Sequence, residues 1–148
     1  MKLSSFLLIA LFCCFAFTQS ATAQVDPVKW SIEKVQNNGK TDIIITADIL
    51  DTWKIYSNTT EEGGPIATDI VYESDAQLSG VYREQTVPKS YQSDLFGMNV
   101  STFADQAIFV QSIESYTSGT PLTAIVTFMS CNDKQCLPPT DIELLITL

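Results

Sequence analysis

Alternation of apolar and polar positions with a period of two runs through most of the chain. Val28, Trp30 and Ile32 alternate with Lys29, Ser31 and Glu33. After Asn37-Asn38-Gly39, a turn sequence, the stretch 41–50 puts Ile43, Ile45, Ala47 and Ile49 on one face. This is the signature of half-buried strands joined by a tight hairpin. Further strand-like runs cover 53–56, 70–72, 78–82, 106–113, 122–128 and 142–148, separated by turn formers such as Gly63-Gly64-Pro65 and Ser118-Gly119. No stretch carries a convincing helical period. About eight short strands with regular turns predict one all-β domain, an immunoglobulin-like antiparallel β-sandwich. The segment 88–105 breaks the pattern, because polar residues flank Leu95-Phe96-Gly97-Met98 on both sides without steady alternation. It reads as a long irregular loop whose apolar tip either covers a reactive group or plugs the end of the sandwich.

The first 23 residues stand apart. Lys2 precedes an apolar core over 6–17, and Ala21-Thr22-Ala23 forms a small-x-small cleavage pattern, so 1–23 reads as a secretory signal peptide and 24–148 as a single mature domain. The apolar core is too short for a stable bilayer span, so no membrane span is expected after cleavage. Cys13 and Cys14 lie within it, but the bulky Phe12 before Cys13 argues against a lipoprotein signal. Secretion implies an oxidising compartment, a periplasm or the exterior, in which the two remaining cysteines can persist as a disulfide.

Charge and composition narrow the chemistry. The chain holds 8 Lys/Arg and 17 Asp/Glu; without Lys2 the balance is seven against 17, or −10. With no basic run, nucleic acid and anionic membrane are poor partners. The sequence contains no histidine, which removes Ser-His-Asp and Cys-His nucleophiles and histidine-based zinc sites. Two mature cysteines supply only half of a structural zinc site, so no metal or other cofactor is expected. Covalent chemistry, if there is any, belongs to the thiols.

Those thiols lie in Ser130-Cys131-Asn132-Asp133-Lys134-Gln135-Cys136-Leu137-Pro138-Pro139, between two apolar runs. Asn132 and Asp133 favour a turn, and the prolines forbid helix. Cys131 and Cys136 can therefore close a short loop. As a staple, a loop of about six residues contributes about 2 kcal/mol by chain entropy, and a domain of this size can bury a core without one. Spacing alone leaves the structural bridge and the redox pair equally open. Lys134 favours a thiolate nearby and Asp133 opposes it, so no strongly acidified thiol is expected.

Four motifs occur together in the order Pro27-Val28-Lys29-Trp30-Ser31, Trp53-Lys54-Ile55-Tyr56, Gly64-Pro65-Ile66-Ala67-Thr68 and Cys131 to Pro139. In this they resemble the amino-terminal periplasmic domain of DsbD, a membrane thiol–disulfide reductase. The resemblance implies a sandwich that relays reducing equivalents from a thioredoxin-like donor to oxidised extracytoplasmic proteins without a cofactor. By this likeness Cys131 and Cys136 match the redox pair, with Cys136 the cysteine that bonds covalently to partners. Asp94-Leu95-Phe96 resembles a cap loop whose aromatic, here Phe96, shields the disulfide, and Tyr56 resembles a tyrosine beside the site. Two departures stand out: Lys54 replaces an aromatic, and the cysteine spacing is one residue shorter than in the best-known members. The 148 residues match neither a membrane domain nor a thioredoxin-like domain, so a separate thioredoxin-like protein or membrane thiol reductase is the expected donor. Whether the domain is an enzyme in its own right stays open. The competing reading is a secreted immunoglobulin-like binding module with an inert disulfide, using exposed aromatics such as Tyr82 and Tyr91 as contact surface.

Overall fold

The computed structural model describes residues 26–148; the expected signal peptide lies outside the described residues. Eleven strands and no helix occupy them. The first two, β1 (Val28–Asn37) and β2 (Lys40–Ile49), form a hairpin in full register from Val28↔Ile49 to Asn37↔Lys40. Asn38 and Gly39 both have positive φ, 51° and 77°, the requirement of a two-residue turn that matches strand twist. Ile43, Ile45 and Ala47 have no exposed surface, and Ile49 has little. Each such isoleucine contributes about 1.5–3 kcal/mol of burial energy.

The remaining strands are β3 (Lys54–Tyr56), β4 (Asp69–Ser74), β5 (Gln77–Glu84), β6 (Lys89–Ser93), β7 (Met98–Phe103), β8 (Gln106–Ser115), β9 (Pro121–Phe128), β10 (Ser130–Cys131) and β11 (Thr140–Thr147). They pair antiparallel in three sheets, ordered β1-β2-β8-β5, β10-β3-β7-β6 and β11-β9-β4. The main core draws on all three, with Ile45, Phe109, Phe103, Ile55, Leu122 and Val126 in one cluster. Phe109 receives Trp30, Tyr82 and Phe103 at centroid distances of 6.0, 6.1 and 5.8 Å. The expected all-β antiparallel architecture is borne out.

One expectation is overturned. Residues 88–105 are not an irregular loop: β6 and β7 pair in register from Lys89↔Thr102 to Ser93↔Met98. The reason is that Val100, Ser101, Thr102 and Phe103 are all buried, so both faces of β7 are covered and no alternation survives. The polar members are satisfied by side-chain bonds. Ser101 Oγ bonds Ser90 Oγ at 2.8 Å, and the Ser101 amide donates to Thr60 Oγ1.

The second feature that positions the site is a sheet change. After Phe128 the chain leaves β9, and one residue later it enters β10, which pairs with β3 in a different sheet. The chain then turns through the cysteine loop and returns as β11 beside β9, from Thr140↔Phe128 onward. The cysteines thus sit where one long hairpin is pulled from one sheet onto the edge of another.

Candidate functional site

Cys131 and Cys136 are joined by a disulfide with Cα atoms 4.0 Å apart. They face each other across the tip of the hairpin. The Asn132 amide donates to the Gln135 carbonyl and the Leu137 amide donates to the Ser130 carbonyl, both at 2.9 Å. These bonds bracket the cysteines, which therefore form a non-hydrogen-bonded antiparallel pair, the type whose Cα atoms lie closest. The turn has its own lock: Asn132 Oδ1 accepts from the Lys134 and Gln135 amides, each at 2.9 Å. An asparagine bonding backbone two and three residues on is the reason this loop is tight.

The two cysteines see different surroundings. Cys136 is exposed, whereas Cys131 keeps only 4% of its surface. Cys131 belongs to a second apolar cluster with Tyr56 and Val100, against which Tyr91, Phe96, Met98 and Met129 pack. Phe96 meets Tyr56 edge-on, ring centroids 6.0 Å apart at 88°. Phe96 is carried on the four-residue turn between β6 and β7, closed by the Gly97 amide donating to the Ser93 carbonyl at 2.8 Å. Gly97 has φ +67°, a conformation that glycine adopts without a Cβ penalty. Leu95 and Phe96 line two clefts, one of about 520 Å³ that includes Cys131 and one of about 450 Å³ that includes Cys136. Asp94 lines the first of these.

Charge enters through Lys54. Its ammonium lies 3.6 Å from Asp133 Oδ1 and 5.6 Å from the centre of the Tyr91 ring. Tyr56 is a neutral phenol here: burial, and secondarily the neighbouring Tyr91, pushes its pKa from 10.0 up to about 12.

The structure therefore brings Cys131, Tyr56 and Phe96 into one cluster, with Asp94 on the rim and Cys136 facing outward. Tyr82 and Tyr91 are not the exposed aromatics of a contact surface. Both are half-buried; the Tyr82 hydroxyl donates to the Thr68 carbonyl, and Tyr91 packs on the cysteine cluster. Sequence reasoning did not single out Asn132 as the lock of the loop, nor Met98, Met129 and Tyr91 as the walls of the site. Asn132 was the one with a usable signal, since asparagine just inside a short turn is a backbone cap.

The family profile described as thiol:disulfide interchange protein DsbD, N-terminal, matches residues 20–147. The chain belongs to this family. The Cys131–Cys136 disulfide lies within the matched residues. Among solved structures, the N-terminal periplasmic domain of ScsB from Proteus mirabilis is 19% identical with a TM-score of 0.62, over 82% of this chain and 47% of that one. This chain thus spans about half of the ScsB chain it matches. The reduced DsbD N-terminal domain of Neisseria meningitidis is 17% identical, TM-score 0.52, over 80% of this chain and 84% of that one. The complex between the DsbD N-terminal and PilB N-terminal domains from Neisseria meningitidis gives 14% identity and a TM-score of 0.57, over 86% of this chain and 92% of that one. At these identities the likeness is one of fold, and it establishes the immunoglobulin-like sandwich of the DsbD N-terminal domain. No curated protein matches the chain.

Proposed function

We propose that the protein is an extracytoplasmic thiol–disulfide exchange domain, delivered by its amino-terminal signal peptide. It relays reducing equivalents between a thioredoxin-like donor and oxidised proteins of that compartment. Cys136 is the sulfur that partners attack, and Cys131 is the resolving cysteine. The observation that carries this reading is the asymmetry of the pair: one exposed cysteine bonded to one with 4% of its surface accessible. A partner thiolate attacks Cys136 Sγ and the Cys131–Cys136 bond breaks, its electron pair leaving on Cys131 Sγ. A mixed disulfide then joins the partner to Cys136. A second partner thiolate attacks the partner's own sulfur, releasing Cys136 as thiolate; the partner leaves as a disulfide and this domain as a dithiol. Electrons pass on to an acceptor disulfide by the same steps in reverse.

In this reading Phe96 is the shield. An unguarded disulfide exchanges with any small thiolate that reaches it, and Phe96 and Leu95 line both the cleft that includes Cys131 and the one that includes Cys136. A partner that offers its own apolar surface can displace a half-buried ring.

The roles are tested by trapping. In Cys131→Ser, incubation under mild oxidation with a thioredoxin-like protein that keeps only its attacking cysteine is expected to accumulate a mixed disulfide through Cys136. Cys136→Ser is expected to trap far less. Equal trapping by the two variants contradicts the assignment.

A further inference from the structure

The sequence pointed to Lys134 as the cation beside the pair, but the strand register points elsewhere. β10 pairs with β3 so that Cys131 stands directly opposite Lys54. Side chains of opposed residues in an antiparallel pair share one face, with Cβ atoms about 4.5–5.5 Å apart. Lys54 and Cys131 also line the same cleft. The lysine is held there by two contacts, Asp133 Oδ1 at 3.6 Å and the Tyr91 ring at 5.6 Å. Asp133 is 86% exposed, and an ion pair with so wet a partner is weak.

The ionisable groups facing Cys131 can be taken element by element. From β3 come Lys54 and Tyr56; from β6 and its turn, Tyr91 and Asp94; from the cysteine loop, Asp133 and Lys134. Tyr56 remains neutral, pushed up to about 12. Asp94 is exposed, and Lys134 lines the cleft that holds Cys136 rather than the one that holds Cys131. Among the described residues, Lys54 is thus the cation that lines the cleft of Cys131. Burial among Tyr56, Val100 and Phe96 by itself disfavours a thiolate at Cys131, so a positive charge at this position matters more than it does on open surface.

We propose that Lys54 stabilises the Cys131 thiolate and so sets how readily Cys131 departs when a partner attacks Cys136. The inference rests on the exchange reading above and names the residue that tunes it. When the bridge opens, the Cys131–Cys136 bond gives its electron pair to Cys131 Sγ, and Lys54 turns from the exposed Asp133 carboxylate to the new anion. Thiols of lower pKa leave faster, so the lysine speeds the opening step and slows the reverse attack of Cys131. Lys54 acts on the charge of the leaving sulfur and exchanges no proton or electron itself.

The test titrates one thiol. In the Cys136→Ser background, the far-ultraviolet thiolate absorbance of Cys131 is followed against pH, with lysine retained, Lys54→Met and Lys54→Arg. Loss of the charge is expected to raise the midpoint by about one pH unit, and arginine is expected to restore most of it. Lys54→Gln provides a second neutral variant if the methionine form fails to fold. With Cys136 present, Lys54→Met is expected to slow reduction by a small dithiol several-fold. A midpoint that is unchanged in a folded neutral variant, or raised equally by arginine, overturns the proposal. A clear midpoint shift in a protein that exchanges with no thioredoxin-like partner upholds the Lys54 inference and removes the relay reading instead.

Discussion

Phe96 is the single side chain whose removal separates a shield from a plug. Its ring meets Tyr56 edge-on and is only half-buried. Phe96→Ala is therefore expected to cost about 2 kcal/mol, roughly half of the 3–5 kcal/mol of an enclosed phenylalanine. Reduction of the disulfide by a small thiol is expected to accelerate several-fold. Stopped-flow reduction and denaturant melts read the two effects separately, and a large stability loss with unchanged thiol kinetics makes Phe96 core. At this scale the site was half legible. The cysteines and the Asp94-Leu95-Phe96 motif announce themselves in the chain. Lys54 was visible only as a departure from a family pattern, because its relation to Cys131 exists in the register of β3 and β10 and in no local spacing.

Among the elements, the cysteine hairpin is held by more than its bridge. Two backbone bonds bracket the cysteines, and Asn132 Oδ1 caps the turn. Reduction is expected to remove about 2 kcal/mol of stability, the chain-entropy value of a loop of about six residues, and to leave the far-ultraviolet circular dichroism of the sheets intact. Collapse of the β signal on reduction points to a structural staple. Asn132→Ala strips the turn of its acceptor and is expected to cost about 1 kcal/mol, and more of the loop's order when the bridge is open. Amide exchange at Lys134 and Gln135 in the reduced form measures that order. The strands themselves were legible where one face is wet, as along β2 and β9, whose buried positions alternate strictly over most of their length. The β6–β7 hairpin was not, because β7 buries serine and threonine beside valine and phenylalanine and bonds them laterally.

Taken whole, the domain is expected to lose stability on the alkaline side. Burial is the leading cause that raises Tyr56 and Tyr82 from 10.0 to about 12, and it raises Tyr72 as well. Between pH 10 and 12 the unfolded chain gives up these phenolic protons while the folded domain keeps them, so the unfolded state binds fewer protons and stability falls as pH rises. Their stabilisation is fully present below pH 10 and is lost through the folded values near 12. Urea melts from pH 9 to pH 12 are expected to show a falling midpoint, and Tyr56→Phe is expected to flatten the fall, on the order of one group in three. A different consequence follows from the position of the cysteines at facing sites of one hairpin. Opening the bond between them is expected to displace no strand and alter no register, because the bonds on either side of the pair are backbone bonds. Any protein gripping this domain away from the hairpin then has equal affinity for its two oxidation states, and by linkage a ligand that binds both alike shifts neither. Discrimination between spent and charged forms, and with it the release of one in favour of the other, falls entirely to the patch around residues 94–97 and 131–136.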